Sequence, residues 1–583
     1  MRWVKHVPDG PGMMPYTNKH NRPAQIFFLY SAVNDRTISA SLGMPEYSYY
    51  FVCKGFADVL KALGEVRFVH DPAKEVDLLY DKALERGQNS LFFCFSPPNK
   101  MIRNLRCPTI VVFAWEFDTI PQATLGMDGS EDWAVALKEA GQAISLSSHS
   151  RDVVKKTLGE SFPIAAIPVP VPISESALKR KKARQLFEVK GLVVDSSAYA
   201  MEAEKIEAMD PVTAFPMPPW DGRPIEISFS RDAEPMPSLC GFYEPEVWGA
   251  WTCLTNAWVL LPNMVCGDIV LDLNFKAYGG NIGRTITVSI GHQKQRLLVD
   301  SHINEKRLTF SIDEPSTVLT FSELDARSIP GQADPRSMAI GLVNVTLTSS
   351  SQHTCTEELL PKKPKPQQLK IDGVLYSTVL NPKCGRKNWR DMITAFCWAF
   401  RENPAASLLI KVSAQHHSEY FSELHELFAR LQPFCCRIIV LHGFLSSQSY
   451  QTLVSLTDVY VNTSRAEGQC LPLMEFMAQG TPAIAPLHTS LLDYVDEEAN
   501  FLVGSSEELT VWPHDAKEKY TAMRQRIDWG DLVAAYRKSY EVVTLQPERY
   551  QRMSECAKQR IAAFASRNRV FEKLKRFLKE ISQ

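Results

Sequence analysis

Thr463–Pro486 reads TSRAEGQCLPLMEFMAQGTPAIAP. The apolar run "DVYVNTS" in front of it has the composition of a buried strand. "RAEGQC" is then the turn leaving the strand's carboxyl end, where open α/β sheets bind ligands. Pro472 suits the first helical position, because its missing N–H would have no partner there in any case. Cys470, Leu473, Met474, Met477 and Ala478 follow the i, i+3, i+4 spacing of a packed helix, and Gly480 and Pro482 stop it. Gly468, Gln469, Cys470 and Leu471 therefore present backbone N–H groups at a helix N-terminus, a site with the polarity for an anion such as a diphosphate. Glu475 sits about one turn into the helix, off the apolar stripe, where a carboxylate can accept hydrogen bonds from ribose hydroxyls. Glu467 sits in the turn before the anion site. The alternative is that Glu475 is an acid favoured by the helix dipole and Glu467 an ordinary turn residue.

The same alternation of apolar strands and amphipathic helices recurs on both sides of a different middle. "IFFLY" (26–30), "LFFCF" (91–95) and "TIVVFA" (109–114) read as buried parallel strands, with Ser148 or Ser150 as the cap of a following helix. "GVLYSTVL" (373–380) and "RIIVLHG" (437–443) repeat the pattern, with an amphipathic helix over Asn388–Phe400 carrying Met392, Phe396 and Ala399 on one stripe. Between them the period becomes two. Ile269, Leu271, Leu273 and Phe275 alternate with Val270, Asp272, Asn274 and Lys276, and Ile286, Val288 and Ile290 with Thr287 and Ser289, as in an antiparallel β-sandwich. The expected division is an α/β domain over 1–173, a linker over 174–224 with a basic run at 179–184, an inserted β-sandwich over 225–360, and a second α/β domain with C-terminal helices over 361–583. The prolines and lysines of 361–367 open this last part.

With 583 residues, 45% of them apolar and 22% charged, the chain has the composition of a soluble multidomain protein. A net charge of -2 offers no field to gather nucleic acid. Thirteen cysteines without a spacing framework predict reduced thiols and a cytosolic setting. The N-terminus has no apolar core of a signal peptide, and no run approaches the about 18 apolar residues of a spanning helix.

The segment from Ser464 to Pro486 resembles the Glu-x7-Glu stretch of retaining nucleotide-sugar glycosyltransferases of the GT-B fold, family four. That resemblance implies two Rossmann-like domains, with Glu467 contacting the donor sugar, Glu475 the ribose, and Gly468 to Leu471 the diphosphate. "STVLNPKCGRKNWRDMITAF" resembles the family's first C-terminal strand and helix, where a basic pair reaches the donor phosphates. The spacing departs from the usual Arg-x4-Lys, since Asn381 or Pro382 stands at the arginine position and Arg386 and Lys387 are adjacent; the phosphate role is carried to these two. "VVFAWEFDTIP" resembles the acceptor-side domain of some of these enzymes and places Glu116, with Asp118 beside it, near the cleft. A loop or capping role is the alternative for Glu116. Gly43 is expected to let backbone approach the donor phosphates, while His149 reads as a cap or surface residue. In the insert, "CGFYEPEVWGAWTC" and "ADPRSMAIGLVNVTL" resemble a β-sandwich module found beside bacterial polysaccharide-making glycosyltransferases. There Trp248, Trp251 and Trp258 are either a sugar-stacking platform or core.

No Asp-x-Asp pair of metal-dependent transferases, no G-x-G-x-x-G and no P-loop occurs. The expectation is a metal-independent transferase without a cofactor, moving a sugar from a nucleotide-diphosphate donor to a saccharide or lipid-linked glycan acceptor in polysaccharide biosynthesis. It would work in the cytoplasm, with peripheral association at the inner face of the membrane, and take no nucleic acid partner. The competing readings are a carbohydrate-binding scaffold with an inert cleft and a sugar-nucleotide epimerase.

Overall fold

The computed structural model describes residues 25–122, 131–174, 185–189, 192–196, 217, 219–233, 237–328, 334, 336–350, 367–414, 420–431, 433–513, 515 and 517–582. The basic run at 179–184 and the stretch 361–366 lie outside them.

Continuous apolar runs buried on both faces build the centre of the first sheet. Its strands are β1 (Ile26–Ser31), β2 (Glu65–Phe68), β3 (Ser90–Phe95), β4 (Thr109–Phe113), β5 (Ala143–Ser145) and β6 (Ile164–Ala166). All pair in parallel in the order β2-β1-β3-β4-β5-β6. Helices α1 (Tyr47–Leu60), α2 (Pro72–Glu85), α3 (Trp133–Ala140) and α4 (Ser148–Leu158) supply the crossovers. The cap of α4 is Ser147, whose hydroxyl accepts the Ser150 N–H, and neither Ser148 nor Ser150. Ser147 alone holds the extended backbone a cap requires, while the other two are already helical.

The stretch expected to be a linker contains two strands. β7 (Gln185–Val189) pairs with β17 (Gln367–Ile371), so the chain enters and leaves the insert side by side. β8 (Leu192–Asp195) joins the far sheet as its antiparallel edge, held by the ion pair of Asp195 with Arg437 at 2.5 Å.

The insert is antiparallel. Its strands are β9 (Ile225–Ser228), β10 (Ser238–Cys240), β11 (Ala250–Trp251), β12 (Ala257–Ala277), β13 (Thr285–Ile290), β14 (Gln293–Leu298), β15 (Ile303–Ser322) and β16 (Ile340–Ser349). All eight belong to one hydrogen-bonded network. The alternation is realised on β12, where Ile269, Leu271, Leu273 and Phe275 are buried in the insert's own core. Trp258, Leu260 and Val318 instead pack into the core of the last domain and seat the insert on it. Cys266 on β12 is disulfide-bonded, so the expectation of reduced thiols throughout does not hold.

The second parallel sheet takes β18 (Val374–Leu380), β19 (Ala406–Val412), β20 (Arg437–His442), β21 (Val459–Val461), β22 (Ala483–Pro486) and β23 (Phe501–Val503) in the order β23-β22-β21-β18-β19-β20-β8. Its helices are α5 (Trp389–Phe400), α6 (Phe421–Leu431), α7 (Ser447–Leu456) and α8 (Leu471–Ala478). On α5, Met392 and Phe396 are buried as expected, whereas Ala399 is only partly covered.

Two later elements depart from the expected division. The hairpin of β24 (Ser505–Val511) and β25 (Tyr520–Ile527) reaches to the first domain, and its Trp512 and Ala522 are buried in that domain's core. After α9 (Trp529–Leu545) and α10 (Pro547–Ala565), α11 (Arg567–Ile581) crosses over as well. Its Val570, Leu574 and Phe577 fill the first core, and Arg567 donates to the Asp58 carbonyl at 2.9 Å. The last helix thus belongs to the N-terminal lobe. Its apolar stripe recurs at i, i+4, i+7, and burial of that stripe decides where it docks.

Candidate active site between the two lobes

The order of the second sheet reverses between β18 and β21, and the loops leaving those two strands meet in the crevice such a reversal opens. The loop after β18 carries Arg386 and Lys387. Asn388 follows in the left-handed region, with φ 51°, and swings the chain into α5. The loop after β21 carries Glu467. Cys470, also left-handed at φ 61°, turns it into α8, which starts at Leu471, so that Pro472 is its second residue and not its first.

The four residues expected to act converge. The Lys387 ammonium donates to Glu467 Oε1 at 2.5 Å, and Arg386 Nη1 donates to Glu467 Oε2 at 3.0 Å. Arg386 Nε lies 2.8 Å from Glu116 Oε1 of the opposite lobe. A second guanidinium bond, from Nη1 to the Ala466 carbonyl at 2.8 Å, fixes the arginine against the turn. Glu467 is 2% exposed. Burial acts to raise its carboxyl, but Lys387 and Arg386 outweigh that and hold it well below the usual carboxylate range. The cluster is therefore a buried network of two anions and two cations, each cation already matched.

The turn itself is closed. A methyl group on Gly468 would stand 3.0 Å from Ala114 Cβ and 3.2 Å from the Trp115 nitrogen. The Gln469 amide donates to the Leu146 carbonyl of the other lobe at 3.1 Å, and its own carbonyl accepts from Tyr494. The space beside Lys387, Glu467 and Cys470 is about 10 Å³. The expected open anion site before Pro472 is thus filled by the facing lobe, because the strand end Ala114–Trp115 lies directly on it. The expected cations are bound to carboxylates and not poised for phosphate. Burial pushes the Cys470 thiol up to about 12.

Glu475 accepts a hydrogen bond from the Tyr450 hydroxyl at 2.6 Å, and burial pushes its carboxyl up to about 7. Gly43, at φ 81°, offers its carbonyl to the Asn381 amide at 3.0 Å, so the N-lobe loop does reach the loop after β18. Asp118 accepts the Met523 N–H at 2.8 Å and anchors the hairpin. His149 lies against the Phe117 carbonyl at 3.2 Å. Sequence reasoning passed over Tyr450 and Thr489, whose hydroxyl accepts the Glu467 N–H at 3.1 Å. Neither carries a local signal, because each comes from an element that only the folded sheet brings to the turn.

The tryptophans of the insert do not form an open platform. Trp251 and Trp258 are buried, and Trp248 and Trp251 meet edge to face at 5.1 Å. A methyl on Gly341 would strike both rings, at 2.4 Å from Trp248 and 2.8 Å from Trp251. The ammonium of Lys276 lies 3.6 Å above the Trp248 ring and occupies that face. Among the described residues no group of three His, Cys, Asp or Glu side chains converges as a metal site, and no helix is long and apolar enough to cross a membrane.

Residues 378–525 match the family model of glycosyl transferases group 1, and residues 224–349 match a domain of unknown function (DUF7024). The matched stretch 378–525 includes Arg386, Lys387, Glu467 and Glu475. No curated protein matches the chain. Among solved structures, a TarM mutant of S. aureus shares 9% identity at TM-score 0.37, covering 84% of this chain and 55% of its own. A glycosyltransferase from Rickettsia africae shares 9% identity at TM-score 0.41, covering 97% and 100%. Anabaena HepE, solved with UDP and glucose, shares 10% identity at TM-score 0.40, covering 96% and 100%. The chain spans about half the length of the TarM chain. All three scores fall below one half, and the architecture given above stands on the sheets themselves.

Proposed function

We propose that this chain is a retaining glycosyltransferase that moves a sugar from a nucleotide-diphosphate donor to a saccharide or lipid-linked glycan acceptor. The observation that carries this is the meeting of Glu467, Arg386, Lys387 and Glu116 at the facing ends of two parallel sheets, within a stretch that matches group 1 glycosyl transferases.

The lobes must part before donor enters, because the turn at Gly468 has no free space. On entry, the diphosphate replaces Glu467 and Glu116 as the partner of Lys387 and Arg386. Those cations then stabilise the charge that develops as the bond from the anomeric carbon to phosphate breaks. The acceptor oxygen bonds to that carbon, and its proton leaves with the phosphate. Glu475, held by Tyr450 through one oxygen, accepts from the ribose with the other. The freed Glu467 faces the donor sugar. We assign the chain no resident metal, and a site of action at the inner face of a membrane where a lipid-linked acceptor would lie.

The closed cluster favours a second reading, a carbohydrate-binding scaffold whose crevice never opens. Nucleotide release from a panel of sugar nucleotides separates the two. Steady release that is lost in Lys387→Ala and Glu475→Ala supports the transferase. Absence of release from every donor, with nucleoside diphosphates failing to bind, supports the scaffold.

A further inference from the structure

Where α5 ends against α9, the last domain carries a shallow concavity of about 660 Å³, open to solvent. That volume lies within the roughly 300–1,000 Å³ of small-molecule sites. It is remote from the ion-pair cluster. α5 starts just after Lys387, and its 12 residues carry the chain about 18 Å away before Phe400 ends it. Trp398 and the turn Arg401–Asn403 form one wall, and Arg537 and Tyr540 of α9 form the other.

Trp398 is 56% exposed on a helix whose other large apolar side chains are buried. Its ring is braced. Trp529 packs against it at 6.2 Å and is itself fixed by an indole N–H bond to the Thr394 hydroxyl at 3.0 Å. The Arg401 guanidinium stands 5.8 Å from the centre of the Trp398 ring, and it is turned to the Leu431 carbonyl at 2.9 Å. Tyr540 rests on Phe400 at 5.3 Å. Glu402 and Arg537 form no ion pair among the described residues. Asn403 spends its side-chain oxygen on the Ala405 N–H at 3.0 Å and keeps its amide N–H donors. With two arginines and one glutamate the walls select no strong charge.

A braced, exposed indole among planar hydrogen-bonding groups suits a pyranose. The C–H face of the sugar stacks on the ring, and its hydroxyls reach Glu402, Asn403 and Arg537. Other occupants fit less well. Trp398 and Trp529 (37% exposed) together leave about one indole's area open. That is roughly 150–250 Å², against about 800 Å² per partner in a stable protein interface. A bilayer is met by a protruding apolar face and clustered cations, whereas this indole lines a hollow beside Glu402.

We propose that this concavity binds a stretch of glycan chain, with one sugar ring stacked on Trp398, at a place separate from the crevice. Because the hollow is open at its sides, the chain lies along it and is not enclosed. In a transferase the site retains a polymeric acceptor, but the binding itself does not depend on that reading.

The test is saturation-transfer NMR on the full chain, with maltohexaose, cellohexaose and chitohexaose as probes beside glucose and N-acetylglucosamine. At least one hexamer is expected to bind about ten-fold or more tightly than its monosaccharide. Trp398→Ala, at an exposed position, abolishes that signal, and Trp398→Phe keeps it. Arg537→Ala, on the opposite wall, weakens it and serves in place of Trp398→Ala should thermal melts show that variant unfolded. No signal from any hexamer overturns the proposal, as does a hexamer signal undiminished in Trp398→Ala or a monosaccharide that binds as tightly as its hexamer. Sedimentation velocity and co-sedimentation with phosphatidylglycerol vesicles test the other occupants. A dimer, or vesicle binding, that disappears in Trp398→Ala overturns the glycan site.

Discussion

At Glu467 a single carboxylate neutralises two buried cations from another loop. Removing its charge leaves Arg386 and Lys387 short of a partner in a dry setting, so Glu467→Gln is expected to lower unfolding free energy by about 3–5 kcal/mol in urea titration. Glu116→Gln acts differently. It frees Arg386 for phosphate, and calorimetry should show nucleoside diphosphate binding strengthened by about ten-fold. Glu475 has a raised carboxyl pKa, from 4.5 to about 7. Between those values the folded state keeps a proton that the unfolded chain has released, so stability falls as pH rises across that window. Glu475→Gln should flatten this dependence in thermal melts from about pH 4.5 to about pH 8. The identity of these residues was readable in the sequence. Their mutual neutralisation was not, because Arg386, Glu467 and Glu116 are far apart along the chain and nothing local encodes their contact.

Among the elements, the hairpin of β24 and β25 departs furthest from what the sequence led us to expect. A two-stranded ribbon is marginal alone, and this one is held by both lobes. Trp512 is buried in the N-lobe core, the Thr119 hydroxyl donates to the Thr521 carbonyl at 2.7 Å, and Arg465 and Arg524 share Glu508. Trp512→Ala should cost about 3–5 kcal/mol by denaturant titration. Trp512→Phe should cost much less, because the indole N–H has no hydrogen-bond partner among the described residues and its loss removes no bond. Strands β1, β3 and β4 and helix α8 were legible from burial patterns and end signals. The hairpin was not, since its strands are largely polar and exposed and bury too few side chains to show the alternation of a half-buried strand.

For the whole molecule, the lobes are tied by the ion-pair cluster, the hairpin and α11. The chain crosses back at Ser566 to complete a core begun about 540 residues earlier. Deleting 567–583 should strip Val570, Leu574 and Phe577 from that core. Hydrogen exchange is then expected to speed up across β1 and β3 and to leave β18 and β19 protected. A parallel rise in exchange in both sheets would mean that the two lobes unfold as one unit.

The amino-acid pattern alone determined the two parallel sheets, the antiparallel insert and the turn-and-helix at Glu467, because strand and helix periods and Gly/Pro stops are local properties of the chain. Only the tertiary structure decided that the crevice is shut, that Trp251 is buried while Trp248 lies under Lys276, and that the last helix belongs to the first lobe. Those outcomes depend on which surfaces bury each other and which charges meet, and such pairings between distant segments leave no period in the sequence.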